Sequence, residues 1–376
     1  MDSVVPGFGR GIYAGKNYKG DETVEVAPSL LVKNSFAMKN QLQYFVYATD
    51  DEAYDAIVFG EGMMYNSLDT ENLVHQWADE LQGFDSLYEE PFTNYTSFQY
   101  TTEHTVRLGE ELFVNYGAEW FEQRSQQPIK SSDVSKRRYS LADLQKFGFC
   151  LSDTYISQSL IPMAGRGLFS HKPYKVGETV IISPVLVLPS EDVESTADSS
   201  VLINYCLTSN QSSVAMLPIS AGSMINHGGI SSNVEIMWET DTGTQSHLSW
   251  PPNRLASLSY APLSVKYVAK RPIFIGEEIT VSYGEDWERH WMKYLNDLSV
   301  WNEEYSNYGG HFMKPQFRHM IEVPFGMFPE TFFGECFGKK CHVGPKLSRE
   351  VNEKKISEAV KYANLNFRLR EECSPE

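Results

Sequence analysis

The chain has no apolar run approaching the ~18 residues that a membrane-crossing helix requires, which argues against a helical membrane protein. Its first residues, Met-Asp-Ser-Val-Val-Pro-Gly, lack the basic and apolar stretches of a secretory signal. The expectation is a soluble intracellular protein of nucleus or cytoplasm. Cysteine is scarce: Cys150, Cys206, Cys336, Cys341 and Cys373 are scattered and odd in number, a poor disulfide framework, so reduced thiols are expected. The Asn-x-Ser/Thr sequons at Asn94 and Asn210 then read as chance matches. Basic residues are in deficit, 32 Lys+Arg against 49 Asp+Glu, for a formal charge of −17. Repulsion from phosphates disfavours direct nucleic-acid binding. Lys136-Arg137-Arg138 is too short a basic tract for a nuclear address and reads as a solvated linker. Absent too are a Walker loop, a Gly-x-Ser-x-Gly elbow, a His-Glu-x-x-His helix and any Cys-x2-Cys pair.

What the chain does have is 41% apolar and 13% aromatic residues, enough for real cores and too much for wholesale disorder. Its 376 residues allow two or three domains. It also repeats itself. Gly9-Arg10-Gly11-Ile12-Tyr13, Lys16, Tyr18, Lys19, Glu22-Thr23-Val24 and Pro28 recur 156 positions later as Gly165-Arg166-Gly167-Leu168-Phe169, Lys172, Tyr174, Lys175, Glu178-Thr179-Val180 and Pro184. Gly62-Met63-Met64-Tyr65-Asn66 answers to Gly222-Ser223-Met224-Ile225-Asn226. Gly109-Glu110-Glu111-Leu112-Phe113-Val114-Asn115-Tyr116-Gly117 answers to Gly276-Glu277-Glu278-Ile279-Thr280-Val281-Ser282-Tyr283-Gly284, and Trp120 and Trp287 follow at the same distance. Three ordered blocks with loop-sized drift between them imply two copies of one domain.

Within each copy, Glu22 to Val32 and Glu178 to Leu188 are rich in Val, Ile and Leu behind a turn glycine, Gly20 or Gly177, and predict strands. Leu112 to Asn115 and Ile279 to Ser282 alternate apolar and polar and predict strands too. Helices are expected at Ser140 to Phe147, Asp286 to Tyr305 and Ser348 to Ala363, with Ser140 and Ser348 as N-caps. The Ser-, Thr-, Asp- and Pro-rich segments 189–215 and 239–266 predict long loops.

The order Gly-Arg-Gly-Leu-Phe, then Ile225-Asn226-His227 with Asn233 downstream, then Gly276 to Gly284, resembles the SET domain of protein-lysine methyltransferases. The likeness covers most of residues 6–124 and 162–291 and, being repeated, is specific. It implies an α+β, mostly β fold of small sheets with a pseudoknot, in two tandem SET-like units: residues 1–125, expected to be the degenerate copy, and 162–291. Outside the likeness, the residues themselves suggest a helical linker, 126–161, and a helical and irregular extension, 292–376. The resemblance further implies S-adenosylmethionine as cofactor, bound by the Gly-x-Gly loop and the Asn-His segment, with the tyrosine after Gly-Glu-Glu beside the reacting methyl.

On that basis the candidate catalytic residues are Tyr283 and Tyr205, and the candidate cofactor residues Gly165, Arg166, Gly167, Asn226, His227 and Trp287. Gly9, Arg10, Gly11, Asn66 and Tyr116 are the first-copy equivalents. Chemically, the glycines permit close backbone approach, Asn226 both donates and accepts, and a phenol can steady charge beside an incoming amine. A dry aromatic channel would lower the pKa of the substrate lysine. The second copy keeps Asn226-His227 where the first has Asn66-Ser67, so the second is the expected working copy. It departs from the family at Gly228-Gly229, at Ser282 and in the one-residue lag of Asn233. No Cys-x-Cys-x4-Cys zinc segment follows Tyr283, and no metal is expected. Channel closure would fall to the aromatic helix carrying Trp287, Trp291, Tyr294 and Trp301. The expected partner is a basic protein segment with an accessible lysine, drawn by the acidic surface; oligomeric state is left open. The rival expectation is a catalytically inactive SET module used as a protein-binding platform.

Overall fold

The structure, a computed structural model, describes residues 1–5, 8–49, 51–78, 96–124, 126–134, 137–195, 200–209, 212–240, 244–305, 317–323, 327, 335–336 and 339–340. The class is α+β and mostly strand. In the first half, Thr23–Lys33 lies between Tyr54–Val58 and Thr96–Thr102, all antiparallel, with Tyr47–Ala48 and Leu73–Trp77 at the edges. In the second, the equally long Thr179–Pro189 lies between Val214–Pro218 and Leu263–Ala269 in a ten-stranded curled sheet. Its apolar run Val185 to Leu188 is buried on both faces, as a central strand demands. Beyond Leu263–Ala269 the order runs Val234–Trp238, Glu278–Val281, Arg166–Ser170 and Thr154–Gln158. Thr154–Gln158, read from sequence as linker, is thus a strand of the second sheet.

Irregularities recur as well as strands. Both long strands shift register at their start, between Thr23 and Glu25 and between Thr179 and Ile181. Asn66–Ser67 pairs in parallel with Phe113–Val114, as Asn226–His227 does with Glu278–Val281. The left-handed residue of the turn before each long strand is Gly177 (φ 83°) in the second half but Asp21 (φ 60°) in the first, not Gly20. An aspartate is among the few side chains that tolerate that region. The segments read as long loops instead carry short helices and strands, including Val214–Pro218, Pro252–Ala256 and Leu263–Ala269.

Ser140 caps Leu141–Phe147 through a reciprocal box with Asp143. Glu285–Tyr305 opens with Glu285, Asp286 and Glu288 in its first turn, where the helix dipole favours acid. The predicted helix from Ser348 to Ala363 lies outside the described residues. No helix among the described residues is long and apolar enough to cross a membrane. Cys150 is an exposed free thiol and Cys206 a buried one.

The halves meet reciprocally. Thr23–Lys33 packs on the turn Ser200–Tyr205, and Thr179–Pro189 packs on the matching turn Gln41–Tyr44. The buried Gln41 amide donates to the carbonyls of Leu258 (2.9 Å) and Tyr260 (2.8 Å) and accepts from the Val187 N–H (2.9 Å). One hydrophobic core runs through both halves.

The first half also encloses two carboxyls. Glu25 accepts from the Glu61 N–H (2.7 Å) and the Tyr65 hydroxyl (3.0 Å), while Glu61 Oε2 is buried with no hydrogen-bond partner. Burial pushes both carboxyls above the usual range, and each charge disfavours the other. A carboxyl raised in the folded state contributes stability present at low pH and lost as pH rises through its folded pKa. Glu61→Gln, which cannot ionise, is therefore expected to stabilise the chain relative to wild type at pH 8, where Glu61 must otherwise lose its proton against burial and the Glu25 charge, with little gain at pH 5. Urea unfolding at the two pH values measures the difference.

Candidate active site

Glu278 organises the second half. Its buried carboxylate accepts from Ser159 Oγ (2.6 Å), the Leu160 N–H (2.8 Å) and Asn226 Nδ2 (3.0 Å), and Asn226 Nδ2 also donates to the Arg166 carbonyl (2.8 Å). Asn226 is thereby held against the Gly165–Gly167 turn. A Cβ on Gly167 would collide with the Glu278 carboxyl and lie 3.1 Å from Asn226 Nδ2, so this glycine makes room for the chain's own carboxylate. Gly165 supplies a left-handed turn instead (φ 68°).

Asn233 imitates a strand neighbour. Its Nδ2 donates to the Glu278 carbonyl (2.8 Å) and its Oδ1 accepts from the Thr280 N–H (2.8 Å). The one-residue lag is absorbed by the short turn Gly229–Ser231, and Asn72 makes the same pair of bonds to Glu111 and Phe113.

Beyond this clamp the chain turns at Tyr283. Its hydroxyl donates to the Ile225 carbonyl (2.6 Å), and its N–H donates to His227 Nδ1 (2.9 Å). Burial pushes the phenol's pKa up, so it stays protonated at physiological pH. Because His227 Nδ1 accepts, the neutral ring carries its proton on Nε2. That atom is buried without a hydrogen-bond partner, 3.9 Å from Glu288, and the indole N–H of the buried Trp287 has none either. Trp287 meets Tyr283 edge-on at 4.9 Å and His227 at 4.8 Å.

These groups face a single cavity of ≈ 250 Å³, lined by Gly165, Arg166, Asn226, His227, Tyr283, Trp287 and Tyr205 among others. Of the second-half residues predicted from sequence, only Gly167 stands behind the lining. Trp291 of the same helix also lines the cavity, with Tyr294 packed behind it against Phe317. Some participants carry no motif of their own. Glu278 is marked in the sequence only by its repetition as Glu111. Phe59, a first-half residue on the cavity wall, gave no local signal at all.

The first half repeats the hydrogen bonds. Glu111 accepts from Ser3 Oγ (2.8 Å), the Val4 N–H (2.7 Å) and Asn66 Nδ2 (2.9 Å), and Asn66 also donates to the Arg10 carbonyl (3.0 Å). Gly11 stands against Glu111 as Gly167 does against Glu278, and Gly9 is left-handed (φ 70°). The Tyr116 hydroxyl donates to the Tyr65 carbonyl (2.7 Å), and Ser67 Oγ takes the place of His227 Nδ1 (3.1 Å). But Val5, Leu68 and Phe113 form an apolar cluster beside these groups, covered by Phe8, Ile129 and Val134. Arg124, at the position matching Trp291, lays its guanidinium over Trp120 (4.3 Å) and donates to the carbonyls of Trp120 and Gln43.

Asp286, His290 and His319 place ligand-capable atoms within 4.8 Å of one another. The two imidazoles stack at 4.0 Å and 15°, His290 Nδ1 and His319 Nε2 lie 3.7 and 3.3 Å from the same Asp286 oxygen, and Arg289 pairs with the other oxygen of that carboxylate.

Comparison with known families matches the SET domain to residues 165–284. A Plasmodium falciparum protein described as a candidate histone methyltransferase is 22% identical over 36% of this chain and 96% of its own, with a TM-score of 0.26. The Chaetomium thermophilum polycomb repressive complex 2 is 18% identical, over 35% of this chain and 15% of its own, with a TM-score of 0.25. A structure of that type bound to S-adenosylmethionine is 19% identical over 35% of this chain and 15% of its own, with a TM-score of 0.24. No curated protein sequence matches the chain.

Proposed function

We propose that residues 162–291 form an S-adenosylmethionine-dependent protein-lysine N-methyltransferase, and that residues 1–125 are a second SET-like copy that has lost its cofactor space. The observation that carries this reading is the convergence on one cavity of a fixed, protonated phenol, the Gly165–Asn226 clamp and the rings of His227 and Trp287. Aromatic faces beside a left-handed glycine turn and a side-chain amide suit a ligand with a planar ring and a charged polar end, as the cofactor has in its purine and its amino-acid group. Gly165, Asn226, His227 and Trp287 would hold it. When bound, it supplies a methyl group on a sulfonium.

The chain's own contribution is orientation and exclusion of water. The Ile225 carbonyl takes the Tyr283 proton, leaving the oxygen lone pairs free to face a polarised methyl and the incoming amine. Tyr205, Tyr283, Trp287 and Phe317 desolvate the lysine, favouring the neutral, nucleophilic amine. The lysine nitrogen would form the new N–C bond as the S–C bond of the sulfonium breaks and a neutral thioether leaves, and it would give up one proton to water. A formal charge of −17 favours a basic protein segment as substrate. In the first half, Arg124 and the apolar cluster stand where ligand space would be needed.

Titration calorimetry of the full chain is expected to find one S-adenosylmethionine site, and labelled methyl is expected to reach lysine in a mixture of basic proteins. Two sites per chain would contradict a silent first half. Tight binding without transfer would make the domain a binding platform.

A further inference from the structure

We propose that the first half builds part of the second half's active cavity, with Phe59 setting how bulky an amine can enter; this rests on the methyltransferase reading above. Pro28, Ser29 and Phe59 line the cavity although they belong to the other half of the chain. Phe59 is 1% exposed and stacks on Tyr205 with centroids 4.6 Å apart and planes at 28°. Tyr205 in turn stands in the cavity wall with Tyr283.

Phe59 is fixed from both sides. It follows the strand Tyr54–Val58, its N–H donates to the Pro28 carbonyl (2.7 Å), and the next residue, Gly60, turns left-handed (φ 85°). A Cβ on Gly60 would press on Ala27 at 3.3 Å, which leaves this turn little freedom to drift. The matching residue of the second half, Ile219, makes the same backbone bond to Pro184 (3.0 Å) but carries an aliphatic side chain in the core. The backbone position is therefore generic to the repeat, while an aromatic ring there serves the contact with Tyr205. That contact exists because the long strand of the first half packs on the turn Ser200–Tyr205. A close-packed wall of this kind cannot yield by a methyl group without cost, so it limits substitution on the amine. Removing the ring leaves space beside Tyr205 lined by aromatic faces, which attract methylated ammonium groups.

The test uses the full chain and lysine peptides carrying no, one or two methyl groups. Phe59→Ala is expected to raise kcat/KM for the methylated peptides at least fivefold relative to the unmethylated one, with the cofactor Kd within twofold of wild type. Phe59→Leu should restore most of the wild-type ratio. Phe98→Ala removes a buried first-half ring that does not line the cavity, and controls for general loosening: it should slow all peptides in proportion. An unchanged ratio in Phe59→Ala with intact cofactor binding, or an equal change in Phe98→Ala, would overturn the proposal alone. Failure of the wild-type chain to bind cofactor would overturn the methyltransferase reading and this proposal with it.

Discussion

Tyr283→Phe is expected to lower kcat by about 10²–10³-fold, the usual cost of deleting one preorganised polar group from a reacting centre, while leaving the cofactor Kd within about twofold. The hydroxyl is set for this role by one bond. Its proton is committed to the Ile225 carbonyl at 2.6 Å, and the N–H of the same residue is committed to His227. The phenylalanine ring keeps the edge contact with Trp287, so the cavity keeps its walls and loses only the oxygen. Loss of a buried hydrogen bond should cost about 1 kcal/mol of stability, too little to account for the rate. Because burial holds the phenol protonated, the wild-type rate should show no falling limb from this group between pH 7 and 9. Single-turnover transfer by the two proteins measures the effect; equal rates would remove Tyr283 from the chemistry.

Glu278→Ala is expected to destabilise the chain by about 3–5 kcal/mol and to abolish cofactor binding, because each buried donor left without its acceptor costs about 1–3 kcal/mol. Three donors, from Ser159, Leu160 and Asn226, would lose their acceptor at once. Asn226 would then be tethered only through the Arg166 carbonyl and the short parallel pair with Thr280, and the Gly165–Gly167 turn would lose the partner it folds around. Glu278→Gln separates the two effects: it keeps one acceptor oxygen and the shape, and should recover much of the stability but bind cofactor more weakly. Glu111→Ala should destabilise by a similar amount, since Ser3, Val4 and Asn66 lose the same acceptor, yet leave cofactor affinity nearly intact. Urea unfolding paired with calorimetry distinguishes the variants; unimpaired cofactor binding by Glu278→Ala would refute the hub's role in the site.

The parts of this architecture that were legible from residues alone share a physical reason. Strands such as Thr179–Pro189 and the capped helix Leu141–Phe147 are specified by near neighbours, through β-branched composition and a Ser-x-x-Asp box. The internal likeness was legible because Glu111 and Glu278, Asn66 and Asn226, Tyr116 and Tyr283 each satisfy the same long-range bonds, which keeps the residue types in order while the loops between them differ in length. The departures that looked damaging in one dimension proved local. The lag of Asn233 is taken up by a turn, and the Ser67 hydroxyl performs the backbone contact that His227 performs in the other half.

The sequence alone determined which groups are present and in what order: two glycine turns, two amide clamps, two terminal tyrosines, and an acidic formal charge of −17. Tertiary structure alone decided what walls the cavity of the second half. Arg124 closes over Trp120 in one half, while Phe59 reaches from that half to stack on Tyr205 in the other. Such contacts join residues far apart in the chain, and their energy depends on distance in space, which no local pattern of amino acids encodes.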